Sequence, residues 1–460
     1  MPESRSPGLL KRALEIFALG AVCLAVWPTN SAAADLLAVY REAKANDAVF
    51  ASARAALVAG AERIPQGRAL ILPSMNASAS STFQGNVVSF YNNGALTGVP
   101  INRDLRSNVW NVTLSQPIYR WQNWVLYEEA AFQVAQSEAQ FGQASQDLVV
   151  RVAQAYFDVL SAENSLAFIQ AQKTAISEQL AQAKRNFEVG TATITDTHEA
   201  QARYDLAVSQ EIAAQNDLEI KRRALQQITG KFPEALVPLR SKIEISKPDP
   251  DTMDSWAKAA QEQNFAVRIQ EAGVEIAKYD IERSRAGHLP TLNLVGNLGK
   301  NSSAFSSVGV TSVANDTINR SIGLQLAFPL YAGGSVDSFV RQAIANREKA
   351  DQDLSNSRRS AELAARQAYL GVTNGIAQVK ALEAALVSSQ SALESNKLGY
   401  EVGVRINIDV LNAQQQVFST KRDLSKARYD ALVNGLKLKA AAGTLAESDV
   451  EQVNRLLGTD

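Results

Sequence analysis

One segment of this chain is written twice. Residues 154 to 230 recur 213 positions later without a gap, and the copy includes a short irregular stretch. The first copy reads Phe187-Glu188-Val189-Gly190, five residues, Asp196, then Ala200-Gln201; the second reads Tyr400-Glu401-Val402-Gly403, five residues, Asp409, then Ala413-Gln414. Upstream, Gln154-Ala155-Tyr156 returns as Gln367-Ala368-Tyr369, and downstream Gly230 returns as Gly443. A fixed offset over that length means one structural unit built twice. Such a chain presents two similar faces, as a subunit lining part of a ring does.

The first 34 residues have a basic start (Arg5, Lys11, Arg12), an apolar stretch from Ala13 to Trp27 broken by Glu15, and small residues Ala32-Ala33-Ala34. This is the pattern of a cleavable secretory signal, cut most simply after Ala34. Cys23, the only cysteine, lies inside it, so the mature chain is expected to carry neither disulfide nor lipid anchor. Without the signal, 43 basic residues face 45 acidic ones. That balance argues against nucleic acid or an acidic membrane surface as the partner. After Ala34 no apolar run approaches the roughly 18 residues of a membrane-spanning helix, so any membrane segment must be made of strands.

Strand-like segments occur in each copy, before its longest helix. Met75, Ala77 and Ala79 alternate with Asn76, Ser78 and Ser80; Trp110, Val112 and Leu114 alternate with Asn111, Thr113 and Ser115. The second copy has Leu292, Leu294 and Leu298 against Asn293 and Asn297, then Ile322, Leu324, Leu326 and Phe328 against Ser321, Gly323 and Gln325. Period two with small polar residues on one side is the pattern of a barrel strand between lipid and water. A single such pair would also suit a soluble sheet; two matched pairs in a secreted, repeated chain favour the barrel. The pairs are expected at about 72–83 with 108–117 and 289–299 with 318–329, joined by Asn, Ser and Gly-rich loops around 84–107 and 299–317. Four strands leave two open edges whose unpaired backbone groups cost several kcal/mol each in hydrocarbon, so a spanning sheet requires oligomerisation.

Between strands and tip each copy reads as helix. Residues 123 to 189 hold no proline and are rich in Ala, Gln, Glu and Leu, which gives a helix on the order of 100 Å long. Val149, Val152, Tyr156, Val159 and Leu166 step by three and four or their sums, as do Ile176, Leu180, Ala183 and Phe187. Tyr369, Val372, Ile376, Val379, Leu386 and Leu393 follow suit in the second copy. Such seams bury against neighbouring helices in coiled-coil fashion. Pro117 and Pro329 mark the change from strand to helix, since proline tolerates a strand end and a first helical turn. Tyr119, Trp121, Trp124 and Tyr127 beyond the first joint suit either a membrane interface or helix packing.

Leu289-Pro290-Thr291-Leu292-Asn293-Leu294, the two joint prolines and the two tips ending in Asp196 and Asp409 together resemble the TolC-type outer-membrane efflux proteins, over essentially all of the chain from Asp35 to about Gly443. The resemblance implies a fold of mixed α and transmembrane β class. In it a homotrimer of two-repeat chains forms one twelve-stranded β-barrel, four strands per chain, in the outer membrane of a Gram-negative bacterium. The barrel continues as a long α-helical coiled-coil barrel through the periplasm. Repeat 1 would occupy 35–230 and repeat 2 would occupy 252–443. The long helices would run over 123–189 and about 336–402, and the linker 231–251 and the tail 444–460 would belt the tunnel. The implied role is an exit duct for drugs, small molecules or secreted proteins. Its partners would be outer-membrane lipid, a periplasmic adaptor, and an inner-membrane ABC, RND or MFS transporter in an efflux pump or type I secretion system.

The tips, turning at Gly190 and Gly403, would then be the periplasmic entrance. By the same resemblance Tyr400 and Arg405 of the second tip constrain Asp196 of the first and hold the entrance closed. Read locally, these are turn and cap residues, because Asp and Gly favour helix ends. Asp409 matches an aspartate that rings the constriction, whereas the second such position is Asn412, which weakens the expected negative field. No catalytic, cofactor-binding or metal-ligating pattern is found. His198 and His288 stand in unrelated contexts, and only Met75 and Met253 follow the signal. The competing class is a periplasmic adaptor, which also has a signal and long hairpins but is expected to carry one hairpin and no pair of barrel-like strand pairs.

Overall fold

The computed structural model describes residues 33–458 except 97, 192, 234, 241–242 and 308–309, so the signal segment up to residue 32, with Cys23, lies outside the described residues. Three short helices open the chain: α1 (Leu36–Asn46), α2 (Ala48–Ala61) and α3 (Arg63–Ala69). Strands β1 (Ser74–Val88) and β2 (Ile101–Tyr119) follow, then helices α4 (Trp121–Glu188), α5 (Ile194–Thr229), α6 (Met253–Gln263) and α7 (Phe265–Arg285). Strands β3 (Thr291–Ser307) and β4 (Val310–Ala327) precede α8 (Ser335–Glu401), α9 (Asn407–Ala441) and α10 (Glu447–Asn454). The long helices span 68 and 67 residues, about 100 Å each. Glu188 and Glu401, and Ile194 and Asn407, stand at the 213-residue offset read from the sequence.

The four strands form one antiparallel meander in the order β1-β2-β3-β4. Directly opposed residues share a face, and the register separates the two chemistries. Met75 lies opposite Leu114, Ala77 opposite Val112, Leu294 opposite Leu324 and Leu292 opposite Leu326. On the other face Asn111 Nδ2 donates to Thr113 Oγ1, Thr113 Oγ1 donates to Asn297 Oδ1 at 2.9 Å, and Ser107 donates to Asn301 at 3.0 Å. The apolar face stays open: Met75 is 70% exposed and Leu324 66%.

Strand length corrects the expected boundaries. Of the stretches expected as loops, 84–88 and 101–107 belong to β1 and β2, and 299–307 and 310–317 to β3 and β4. What joins β1 to β2 is residues 89–100, and β3 and β4 are separated only by residues 308–309. Residues 89–100 contain a small ladder that pairs Tyr91 with Leu96 and Asn92 with Ala95. The apolar alternation marks only the part of a strand that meets hydrocarbon; backbone pairing continues into polar sequence because its hydrogen bonds do not depend on side chains.

Shorter helices flank the long ones end to end. α2 and α3 lie along the strand-proximal half of α4 and α5 along its distal half, while α6 and α7, then α9, accompany α8. The main core lies where α4 is crossed by both chain ends. Val152, Tyr156, Phe157 and Val159 of α4 are at most 1% exposed and pack with Leu36, Leu225, Leu236, Val433 and Val450. The Tyr156 hydroxyl donates to the carbonyl of Val237 at 2.8 Å, holding that residue against the helix. Asn454 Nδ2 reaches the carboxylate of Asp35, which caps α1, so the C-terminal tail is tied to the N-terminus. The second seam is more open. Val372 and Val379 are buried, but Tyr369, Ile376 and Leu386 only partly so.

The two strand-to-helix joints differ. Pro117 lies inside β2 at a register shift, which accommodates its missing N–H; Gln116 Nε2, donating to the carbonyl of Ile71, ties this joint to the turn before β1. Pro329 lies beyond the end of β4, and the turn into α8 is made by Gly333 and Gly334, both at positive φ.

Candidate functional site at the helix tips

Each tip is a helix end followed within a few residues by a new helix. α4 closes with the N–H of Gly190 (φ 79°) donating to the carbonyl of Phe187 and that of Thr191 to Asn186 at 2.8 Å. α8 closes the same way: Gly403 (φ 78°) donates to Tyr400, and Val404 to Gly399 at 2.8 Å. Only a left-handed residue completes this closure, which accounts for both glycines.

The helices that follow start differently. Thr193 caps α5, and Asp196 closes a capping box, its Oδ2 accepting from the Thr193 N–H at 3.0 Å and the Thr193 hydroxyl at 2.8 Å. Ile406 occupies the corresponding position of α9 and offers no side-chain cap. There Asp409 instead takes the Arg405 guanidinium at 3.6 Å. Arg405 folds back over Gly399, where any Cβ would come within 2.7 Å of its side chain.

Within one chain Asp196, Tyr400 and Arg405 are therefore engaged separately. Asp196 caps its own helix, Arg405 pairs with Asp409, and the Tyr400 hydroxyl accepts from Asn186 Nδ2 at 3.2 Å. That last bond joins the two tips. A second bridge lies one or two turns further along α5 and α9, where Arg203 donates to Gln415 at 2.8 Å and to Asn412 at 3.0 Å. Asn412 is thus an acceptor for a cation from the first copy rather than an idle replacement for a carboxylate. Sequence reasoning missed Asn186, Gly399, Arg203 and Gln415. Comparing the copies position by position offered the one available signal, because Asn186 aligns with Gly399 and Arg203 with Gln416 where the copies diverge.

Side-chain exposure of 58% for Arg405 leaves it free to turn outward. Val404 and Ile406 beside it are 78% and 61% exposed, an apolar rim at the extreme end of the molecule. Among the described residues no group of His, Cys, Asp and Glu could hold a metal ion. His288 lies far from the tips, 3.3 Å from Asp337 beside the second joint.

Comparison with known proteins fits this architecture. The family model for outer membrane efflux proteins matches residues 39–231 and again 256–444. The chain is 34% identical over 450 residues to the outer membrane protein TolC of Vibrio cholerae, covering 97% of this chain and 98% of that one. It is 31% identical to the protease secretion protein PrtF of Dickeya chrysanthemi, covering 94% and 93%. Among solved structures it resembles the CmeC outer membrane channel of Campylobacter jejuni, with a TM-score of 0.74 at 18% identity over 92% of this chain and 89% of that one. The chain belongs to the outer membrane efflux protein family and is an outer-membrane exit duct of efflux or secretion systems, not an enzyme.

Proposed function

We propose that three copies close into one barrel and one tunnel, and that the six tips form its periplasmic entrance. The observation that carries this reading is the four-stranded sheet, apolar and open on one face, with unpaired edges at β1 and β4. In a bilayer those edges must find partners, and the edge strand of a second copy supplies them. Twelve strands then surround a lumen lined by the Asn, Ser and Thr face. The two halves of the chain are read as two copies of one unit, each lending a strand pair and a long hairpin to the ring.

Closure is assigned to contacts between subunits. The capping bonds of Asp196 use Oδ2 alone, and Oδ1 has no partner among the described residues. Arg405, held only at 3.6 Å within its own chain, is the cation that reaches a neighbour's Asp196, with Tyr400 alongside. An exposed pair contributes about 0.2 to 1 kcal/mol, so three symmetric copies of such pairs sum to a few kcal/mol. That holds an entrance shut, yet yields to a docking adaptor and inner-membrane transporter. The duct works with such partners and takes its cargo from them.

The test is single-channel conductance in planar bilayers. Tyr400→Phe combined with Arg405→Ser raises conductance severalfold while trimer yield is unchanged. Because Asp196→Ala also removes a helix cap, Arg405→Ser alone serves as the clean arm. Conductance equal to wild type in both Arg405 variants would return these residues to a purely local role.

A further inference from the structure

The apolar belt crosses the sheet obliquely. Met75, Leu114, Gly296 and Ile322 share one row of the register. On β1 Met75 is the end of the belt nearest the helices, which continues outward to Phe83. On β4 Ile322 is already the outer end of the run Leu326, Leu324, Ile322. A belt level with a membrane cuts across strands in this way when they tilt around a barrel.

Beyond the belt, on the same face and toward the hairpin ends, stand three cations. The register fixes their side: Arg106 opposes Phe83, Lys300 opposes Trp110 and Arg320 opposes Leu298. Arg106 lies six residues past Val112, Lys300 six past Leu294 and Arg320 four past Leu324. At about 3.4 Å per residue and a tilt of roughly 40°, all three stand about 10 to 16 Å out from the middle of the belt. That is the outer edge of an apolar band about 25 Å tall. Lys300 is held by Asp316 at 2.8 Å. Arg106 and Arg320 are exposed and have no ion-pair partner among the described residues. Asp104 and Asp316 occupy the same face further out, with exposed Ile318 between Arg320 and Asp316, so the cations lie on the hydrocarbon side of the carboxylates.

An exposed guanidinium at that depth with no acid of its own is placed to take an anion from outside the chain. Resting on the barrel reading above, we propose that Arg106, Arg320 and Lys300 form a strip that binds the phosphate groups of an anionic glycolipid in the outer leaflet. The planar fork of each arginine takes two phosphate oxygens, and the apolar belt beneath receives the acyl chains. The adjoining carboxylates repel phosphate placed further out and so set the depth at which the barrel rides.

Wild type and Arg106→Gln/Arg320→Gln trimers are to be reconstituted into nanodiscs of phosphatidylcholine alone, with purified lipid A, and with dephosphorylated lipid A. Retained lipid is counted by native mass spectrometry and Tm is recorded. Wild type retains lipid A on the order of tenfold better than the double variant and gains Tm only with the phosphorylated form. Inorganic phosphate in the buffer leaves Tm unchanged. Equal retention by the variant, equal retention of the dephosphorylated lipid, or a Tm gain from inorganic phosphate alone would each overturn the proposal. If the double variant does not assemble, wild type decides: its lipid A retention must fall as NaCl rises, and retention indifferent to salt rejects the strip. A wild-type protein that never forms a trimer refutes the barrel reading itself, whereas a trimer without lipid preference refutes only the strip.

Discussion

At the scale of single residues, the most constrained charge is Asp47. Its carboxylate is 4% exposed, caps α2 through the Phe50 N–H and binds Arg151 at 2.7 Å. Burial pushes its pKa up, but the Arg151 guanidinium and the backbone N–H of Phe50 outweigh this and hold it below the usual carboxylate value. A carboxyl lowered in the folded state adds stability above its unfolded pKa and loses it as pH falls through the folded one. Asp47→Ala should thus cost about 1 to 2 kcal/mol at neutral pH, the partly exposed Arg151 limiting the loss. Its unfolding midpoint should fall less than that of wild type as pH drops below about 4, measured by denaturant titration across pH. Gly443 gives a second test. At φ +74° its Cβ would stand 2.3 Å from the Gln263 carbonyl, whereas Gly230, its counterpart at φ +76°, meets nothing nearer than 3.4 Å. Gly230→Ala should cost about 1 kcal/mol through its backbone angle alone. Gly443→Ala should cost clearly more, which paired thermal melts will show.

At the scale of elements, each strand carries two instructions. Side-chain alternation assigns faces, and backbone pairing sets length. Leu324 projects from the apolar face and Gln325 from the opposite one, so Leu324→Arg should impair outer-membrane assembly at a cost of about 2 to 4 kcal/mol. Gln325→Arg should assemble normally. Heat-modifiable mobility on gels distinguishes the two, and equal assembly would show the strand phase to be wrong. The joints show the limit of motif reading. The two prolines mark both changes from strand to helix, but one sits at a register shift inside its strand and the other beyond its strand, where paired glycines make the turn.

At the scale of the whole molecule, an open apolar sheet and a closable tip make one joint prediction. Detergent-purified protein should run as a trimer and conduct poorly at rest. Lower salt should deepen the closure, because screening weakens exposed ion pairs. Analytical ultracentrifugation and conductance at two ionic strengths check both halves; a monodisperse monomer with intact helices would refute the first. Apolar side chains exposed on α5 and α8, among them Ile212 at 63% and Val387 at 65%, are surfaces that the proposed trimer would cover.

The sequence by itself determined the 213-residue offset between the two tips, the helical seams and the two faces of the strands. Each of these is a periodicity or an offset, and local geometry turns a period of two or of three and four directly into a face. Tertiary structure alone decided what lies between distant residues. It extended the strands through polar sequence, because pairing belongs to the backbone. It drew Asn412 onto Arg203 and made Asp196 a cap within its own chain, because a side chain takes the nearest partner the fold supplies. It also set Val237 on Tyr156 of α4 and tied Asn454 of the tail to Asp35. No pattern in those segments announces this, since a contact between residues hundreds of positions apart exists only once the helices that carry them have been packed.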